Sequence, residues 1–119
     1  MEQASPKICV VYAKNAVIAI LQEAKILQEE DIQALESSII PLIDQTGRIN
    51  LVINFCNVKF LTSSALGLLI RINKKVYESQ GQLKLCAINP NILEIFRITR
   101  LDEIFDICDN QDEAVQSFS

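Results

Sequence analysis

The sequence contains no histidine, and its 119 residues include only three glycines. Without histidine, the serine–histidine and cysteine–histidine pairs that activate many enzymatic nucleophiles cannot form. The glycine-rich phosphate loops GxxxxGK[ST] and GxGxxG are also missing. Most carboxylates lie at predicted helix starts or in the acidic C-terminal segment, where a solvated surface position is expected. We therefore expect a binding or switching protein without a cofactor, not an enzyme.

Charge and hydropathy argue against two further classes of partner. The formal net charge is −4, and no run of lysine or arginine suggests a surface for nucleic acid or an anionic membrane. No apolar stretch approaches the roughly 20 residues that span a bilayer, and the N-terminus lacks the pattern of a signal peptide. These features predict a cytoplasmic protein that binds neither nucleic acid nor membrane.

Four cysteines, Cys9, Cys56, Cys86 and Cys108, are scattered along the chain without a CxxC pair. This spacing gives no support for a zinc site, and we predict no metal. Each cysteine lies in or beside an apolar run. We therefore expect four reduced thiols, most of them buried as small hydrophobic side chains.

The first half of the chain predicts a hairpin followed by a helix. Residues 7–13 and 16–21 are rich in β-branched residues and are separated by two residues, which predicts an antiparallel hairpin with a tight turn at Lys14 and Asn15. Residues 29–46 have an apolar stripe at helical spacing and an acidic first turn. Pro41 predicts a kink or an early end of this helix, and Gly47 predicts its stop.

The second half predicts a βαβ unit with parallel strands at residues 49–55 and 82–88 and a crossover helix that ends near Gly81. Asn89 and Pro90 are suited to the N-cap and first position of another helix. Residues 102–108 fit either a short edge strand or a helical turn. The whole chain, 1–119, then forms one α/β domain: a mixed sheet of four or five strands flanked by about four helices, a loose lead-in at 1–6 and an acidic tail at 109–119 with room for a short helix.

Three hydroxyls, Thr62, Ser63 and Ser64, lie where a strand leads into a helix. A helix N-terminus has unpaired amides and favours negative charge. A serine there can be an N-cap, which contributes about 1 kcal/mol, or it can present its hydroxyl to a partner that modifies it. Capping is the commoner role of serine at such a position.

The first two turns of the following helix, SSALGLLI, are apolar nearly all round. Leu66, Leu68 and Ile70 fall largely outside the main apolar stripe, so this end of the helix is either deeply buried or presents an apolar patch to a partner. A phosphate beside such a patch would add nearly two negative charges and disturb the contact. The residues predicted to bind a partner are Thr62, Ser63, Ser64, Ala65, Leu66, Leu68 and Ile70.

The stretch FLTSSALG at residues 60–67 resembles the FMDSSGLG-type signature of anti-sigma-factor antagonists in the STAS-domain family. LVINFCNV before it resembles the central strand of that family, and GQLKLCAINPNILEIFRITRLDEIFDI resembles its later strand–helix–strand block. The resemblance covers about residues 50–107 and implies a STAS-like α/β fold. The family's phosphorylated serine matches Ser63, and Ser64 is the alternative acceptor.

The same resemblance implies partner proteins and a cycle of phosphorylation and dephosphorylation. In the family, a serine-kinase anti-sigma factor phosphorylates the antagonist, and a PP2C-type phosphatase reverses this. The unphosphorylated antagonist binds the anti-sigma factor and so releases a sigma factor, which regulates transcription in bacteria. Thr62 and Ala65 replace the aspartate and glycine of the family signature. The alternative function is a STAS scaffold that is not phosphorylated and that assembles with partners, or as a homodimer, through Leu66, Leu68 and Ile70.

Overall fold

A computed structural model describes residues 8–13 and 15–118 as an α/β fold built on a five-stranded sheet. The strands are β1 (Ile8–Tyr12), β2 (Val17–Leu21), β3 (Lys25–Ile26), β4 (Asn50–Asn54), β5 (Phe60–Leu61), β6 (Gln82–Cys86) and β7 (Asp106–Cys108). The helices are α1 (Glu29–Thr46), α2 (Ser63–Glu78), α3 (Pro90–Ile98) and α4 (Gln111–Gln116), with a 3₁₀ turn at Leu101–Glu103.

The main sheet has the strand order β1-β2-β4-β6-β7. β1 is antiparallel to β2, and the remaining neighbours are parallel. The predicted hairpin, parallel βαβ strands and mixed sheet are therefore confirmed. Residues 1–6 of the predicted lead-in and Lys14 of the predicted turn lie outside the described residues.

The sheet is covered on both faces, as the apolar run in β4 predicted. Side chains alternate along a strand, so Leu51 and Ile53 pack on one face and Val52 on the other. All three have no exposed surface. α1, α2 and α3 cover the first face, and α4 lies on the second with Ala114 and Phe118 buried. The predicted acidic tail thus contains a helix that closes the core.

Pro41 does not end α1, which continues to Thr46, so the expected early end is wrong. Proline lacks an amide hydrogen and cannot bond the carbonyl of the residue four positions earlier, which is Ser37. Both residues are exposed, so water can satisfy that carbonyl. Gly47 stops the helix as predicted, with a positive φ of 73° and its amide bonded to the Ile43 carbonyl.

The parallel pair β3–β5 was not predicted, because two-residue strands show no periodicity. Lys25 pairs with Phe60 and Ile26 with Leu61. β3 leads into α1, and β5 leads into α2. The pair therefore sets the starts of the two helices side by side.

The far end of α2 is fixed by a close backbone contact. A Cβ atom on Gly81 would lie 2.2 Å from the Ile49 carbonyl oxygen, so only glycine fits at this position. The same oxygen accepts a hydrogen bond from the Gln82 amide at 2.9 Å. The connection from α2 to β6 is thus packed directly against the start of β4.

The segment 102–108 forms both elements that its sequence suggested, first the end of the 3₁₀ turn and then the edge strand β7. β7 pairs Asp106 with Lys84 of β6, and the two side chains form a salt bridge. The Lys84 side chain is only 8% exposed, and its Nζ lies 5.2 Å from the centre of the Phe118 ring. This contact ties the edge strand and the C-terminal segment to the sheet.

The cysteines are all free thiols, but the expectation that most are buried is wrong. Cys86 is buried, Cys9 and Cys108 are half-buried, and Cys56 is exposed. Cys9 and Cys108 lie on edge strands, and Cys56 lies beyond the end of β4, where cover by other elements is incomplete.

Candidate functional site

The N-cap of α2 is Thr62. Its backbone is extended, with φ −100° and ψ 170°, and its side-chain oxygen accepts a hydrogen bond from the Ala65 amide at 3.4 Å. The Thr62 carbonyl also accepts from the amides of Ala65 and Leu66. Threonine is a good capping residue, so the cap requires no serine.

Ser63 and Ser64 are the first two residues of α2, and both are exposed. Neither hydroxyl acts as the helix cap, because Thr62 has that role. The capping interpretation of these serines is therefore wrong. Their hydroxyls lie at the positive end of the helix dipole, and the first turn contains no acidic residue. A negative group added here would be stabilised by the helix.

Three of the seven predicted partner-binding residues are buried, namely Ala65, Leu66 and Leu68. Leu66 is 7% and Leu68 2% exposed, and both belong to the core on the first face of the sheet. The predicted exposed patch of Leu66 and Leu68 is wrong, because α2 packs against α1 as well as against the sheet. The scaffold alternative loses most of its proposed contact surface. Ile70 remains 44% exposed, and Thr62 is half-buried.

Two apolar residues that were not predicted lie close to the exposed serines. Phe60 of β5 is about half exposed, and so is Leu27, which follows β3. The Thr62 amide bonds the Ile26 carbonyl at 3.3 Å, which places Leu27 beside the helix start. Lys25 covers one part of the Phe60 ring, with Nζ 5.9 Å from its centre. Two-residue strands gave no sequence signal from which these exposures could have been found.

Ser63 and Ile70 lie on the same side of α2, because seven residues make almost two complete turns. Gly67 lies between them and is half-buried. We define the docking face as the surface formed by the exposed residues Leu27, Phe60, Ser63 and Ile70 together with the half-buried Gly67. It combines apolar contact area with one accessible hydroxyl.

The start of α1 adds negative charge near this face. Its first turn contains Glu29, Glu30 and Asp31. α1 and α2 run in the same direction, as shown by the ion pairs Glu36–Arg71 and Asp44–Lys75, both at 3.5 Å. Because β3 and β5 set the two helix starts side by side, this acidic turn lies next to the start of α2. A phosphate on Ser63 would add to the negative charge of this turn, and Lys25, which lies over Phe60, is a nearby positive charge.

Restoring glycine at Ala65, as in the family signature, should lower the free energy of unfolding by about 1 kcal/mol. Glycine is less favourable than alanine within a helix by roughly that amount, and the Ala65 methyl group is buried. Urea denaturation of Ala65→Gly and the parent would measure the difference. Because this methyl group is not exposed, partner affinity should be unchanged. A large loss of affinity would contradict the position assigned to Ala65.

The described residues contain no group of three or more cysteine or acidic side chains that could hold a metal ion. Among the helices of residues 8–13 and 15–118, none is long and apolar enough to cross a membrane.

Comparison with known proteins identifies the family of this chain. The family model of the STAS domain matches residues 10–114. BtrV of Bordetella bronchiseptica, a candidate anti-sigma factor antagonist, is 24% identical over 102 residues, which cover 86% of this chain and 85% of BtrV. The anti-sigma-B factor antagonist of Bacillus subtilis is 28% identical over 82 residues, which cover 69% of this chain and 73% of that protein.

Solved structures show the same fold. An anti-sigma-factor antagonist (STAS) domain protein from Planctomyces limnophilus superposes with a TM-score of 0.84 at 22% identity, covering 98% of this chain and all of that one. The Bacillus cell fate determinant SpoIIAA in its phosphorylated form superposes with a TM-score of 0.68 at 18% identity, covering 92% of this chain and 96% of that one.

Proposed function

The chain belongs to the STAS domain family, and from this premise we propose that it is an anti-sigma factor antagonist that phosphorylation of Ser63 switches off. The names of its relatives in Bordetella and Bacillus support the general role. A protein of the same fold, SpoIIAA, exists in a phosphorylated form, which supports control by phosphate.

The observation that carries this proposal is an exposed Ser63 whose hydroxyl is not used as the helix cap. A kinase must bring the acceptor oxygen in line with the phosphate of ATP, so the hydroxyl has to be accessible. Ser64 is also exposed and is the second candidate acceptor. Ser63 is preferred because it matches the phosphorylated serine of the family signature.

In the proposed complex, a serine-kinase anti-sigma factor contacts the docking face. Leu27, Phe60 and Ile70 supply apolar area, and Ser63 lies on the same side of α2 as Ile70. Phosphorylation would place a group of nearly two negative charges at this contact, beside the acidic turn of α1. Burying that charge against an apolar surface without a cation would be costly, so the complex dissociates.

In the rest of the proposed cycle, a PP2C-type phosphatase removes the phosphate and restores binding. When the unphosphorylated protein binds the anti-sigma factor, the anti-sigma factor releases its sigma factor. The free sigma factor then changes transcription in the cytoplasm of a bacterium. In this cycle the protein is a substrate and a binding partner and catalyses no step itself.

The direct test is phosphorylation in vitro. The protein would be incubated with ATP and its cognate kinase-type anti-sigma factor, and the phosphate would be located by mass spectrometry. We expect one phosphate on Ser63, none in Ser63→Ala, and normal labelling in the exposed control Ser37→Ala on α1. Phosphate outside Ser63 and Ser64, or no phosphate at all, would contradict the proposed switch.

Gly67→Ala should stabilise the protein but weaken its complex. Alanine is favoured over glycine in a helix by about 1 kcal/mol, and a Cβ at this position would meet only Arg71, at 3.9 Å. The added methyl group would, however, project from the docking face between Ser63 and Ile70. Thermal unfolding would measure the gain and calorimetric titration the lost affinity. Unchanged affinity would show that the partner does not approach this part of α2.

A further inference from the structure

Cys86 and Cys108 lie opposite each other on the neighbouring strands β6 and β7. The parallel register pairs the two residues directly, and both pack in the apolar layer under α4. Neighbouring strands lie about 4.8 Å apart, and the Cα atoms of a disulfide are usually roughly 4.4–6.8 Å apart. The two thiols are therefore placed to form a disulfide without a change of strand pairing.

The two thiols differ in accessibility. Cys86 has no exposed surface, whereas Cys108 is half-buried. Burial, and then the nearby thiols of Cys108 and Cys56, raise the pKa of Cys86 to about 12. Cys86 is thus protonated at neutral pH and shielded from direct attack. Of these two thiols, Cys108 is the one that an oxidant in solution reaches first.

Cys56 is the other thiol near Cys86, but it is not paired with it in the sheet. The residue of β4 that pairs with Cys86 is Asn54, whose Nδ2 donates to Gln111 Oε1 at 2.8 Å. Cys56 lies two residues beyond Asn54, on the exposed connection that leads to β5. The row of side chains across β4, β6 and β7 is therefore Asn54, Cys86 and Cys108.

We propose that Cys86 and Cys108 form a dithiol site that peroxides convert into an intramolecular disulfide. In the first step, the Cys108 thiolate attacks one peroxide oxygen. An S–O bond forms, the O–O bond breaks, and the departing hydroxide and the proton released by Cys108 make water. Cys108 is now a sulfenic acid.

In the second step, the Cys86 sulfur attacks the sulfur of this sulfenic acid. The S–S bond forms, the S–O bond breaks, and the departing hydroxide takes the Cys86 proton and leaves as water. Two thiols lose two electrons in total, and one hydrogen peroxide is reduced to two molecules of water. The balance requires no other reactant.

The disulfide would move the edge strand. Side chains on neighbouring strands are spaced by about 4.8 Å, whereas the Cβ atoms of a disulfide lie about 3.8 Å apart. β7 has three residues and, among the described strands, pairs only with β6, so it is the strand that shifts. Thiol–disulfide exchange with a reductant would break the bond again, which makes the modification reversible.

The test is to treat the folded, fully reduced chain with hydrogen peroxide, alkylate the remaining thiols, digest and map linked peptides by mass spectrometry. We expect a Cys86–Cys108 link in the parent, in Cys56→Ser and in Cys9→Ser, and its loss in Cys108→Ser and Cys86→Ala. Circular dichroism would confirm that each variant is folded. Dithiothreitol should remove the link.

Three outcomes would overturn the proposal. One is a main product that links Cys56 to Cys86 or joins two chains. Another is oxidation of Cys108 to a sulfinic acid without any link. The third is an equal yield of the Cys86–Cys108 link from the chain in denaturant, because the folded register would then not select the pair.

Discussion

Ser63→Asp should bind the anti-sigma factor at least about tenfold more weakly than the parent, whereas Ser63→Ala should bind normally and resist phosphorylation. The side chain at this position is exposed on the same side of α2 as Ile70 and lies beside the acidic start of α1. A carboxylate there would have to be desolvated against apolar contacts. A tenfold loss corresponds to about 1.4 kcal/mol of binding free energy.

Calorimetric titration with the kinase-type anti-sigma factor, without ATP, would measure both variants. Ser37→Asp is a matched control, since it adds the same charge at an exposed position of α1 outside the docking face. If Ser63→Asp bound as tightly as the parent, the electrostatic switch would be wrong. If Ser37→Asp weakened binding equally, the effect would come from net charge and not from the site.

Asp106→Ala should lower the free energy of unfolding by about 2 kcal/mol, whereas Lys84→Met should change it by less than about 1 kcal/mol. Removing one partner of a buried ion pair leaves an uncompensated charge, which typically costs about 3–5 kcal/mol. The expected loss is smaller here because Asp106 is 61% exposed and water can take its place. Replacing the lysine with an apolar side chain leaves only an exposed aspartate, and methionine keeps much of the contact with Phe118.

Urea denaturation at neutral pH would measure both variants, and Asp102→Ala supplies an exposed aspartate on the 3₁₀ turn as a control. The sign of the difference is the test. If Lys84→Met were as destabilising as Asp106→Ala, the pair itself would contribute net stability. If neither change had an effect, Lys84 would be solvated in solution.

Long periodic segments made most of the fold predictable from the sequence. The acidic first turn of α1 gave its start and Gly47 its end, and Asn89 with Pro90 gave the start of α3. The consequence of Pro41 was not predictable, because it depends on whether the freed carbonyl faces water. β3 and β5 form through their partner strands, and two residues carry no pattern of their own.

The position of the candidate site was predictable, but its exposed surface was not. Three hydroxyls at a strand-to-helix junction located it, yet Thr62, Ser63 and Ser64 are all capable caps. Only the extended backbone of Thr62 decides which one has that role. The helix pattern likewise could not show that α1 packs along α2 and buries Leu68, while Ile70 stays exposed.

The close backbone contact between Gly81 and the Ile49 carbonyl limits how far α2 can move when its N-terminal end is modified. The helix has 16 residues, about 24 Å, and a slide along its axis toward its C-terminal end would drive the following Gly81 into the backbone of Ile49. In the proposed switch, a phosphate on Ser63 would therefore change the charge that the partner meets and not the position of the helix. Structures with and without phosphate should superpose along the whole of α2.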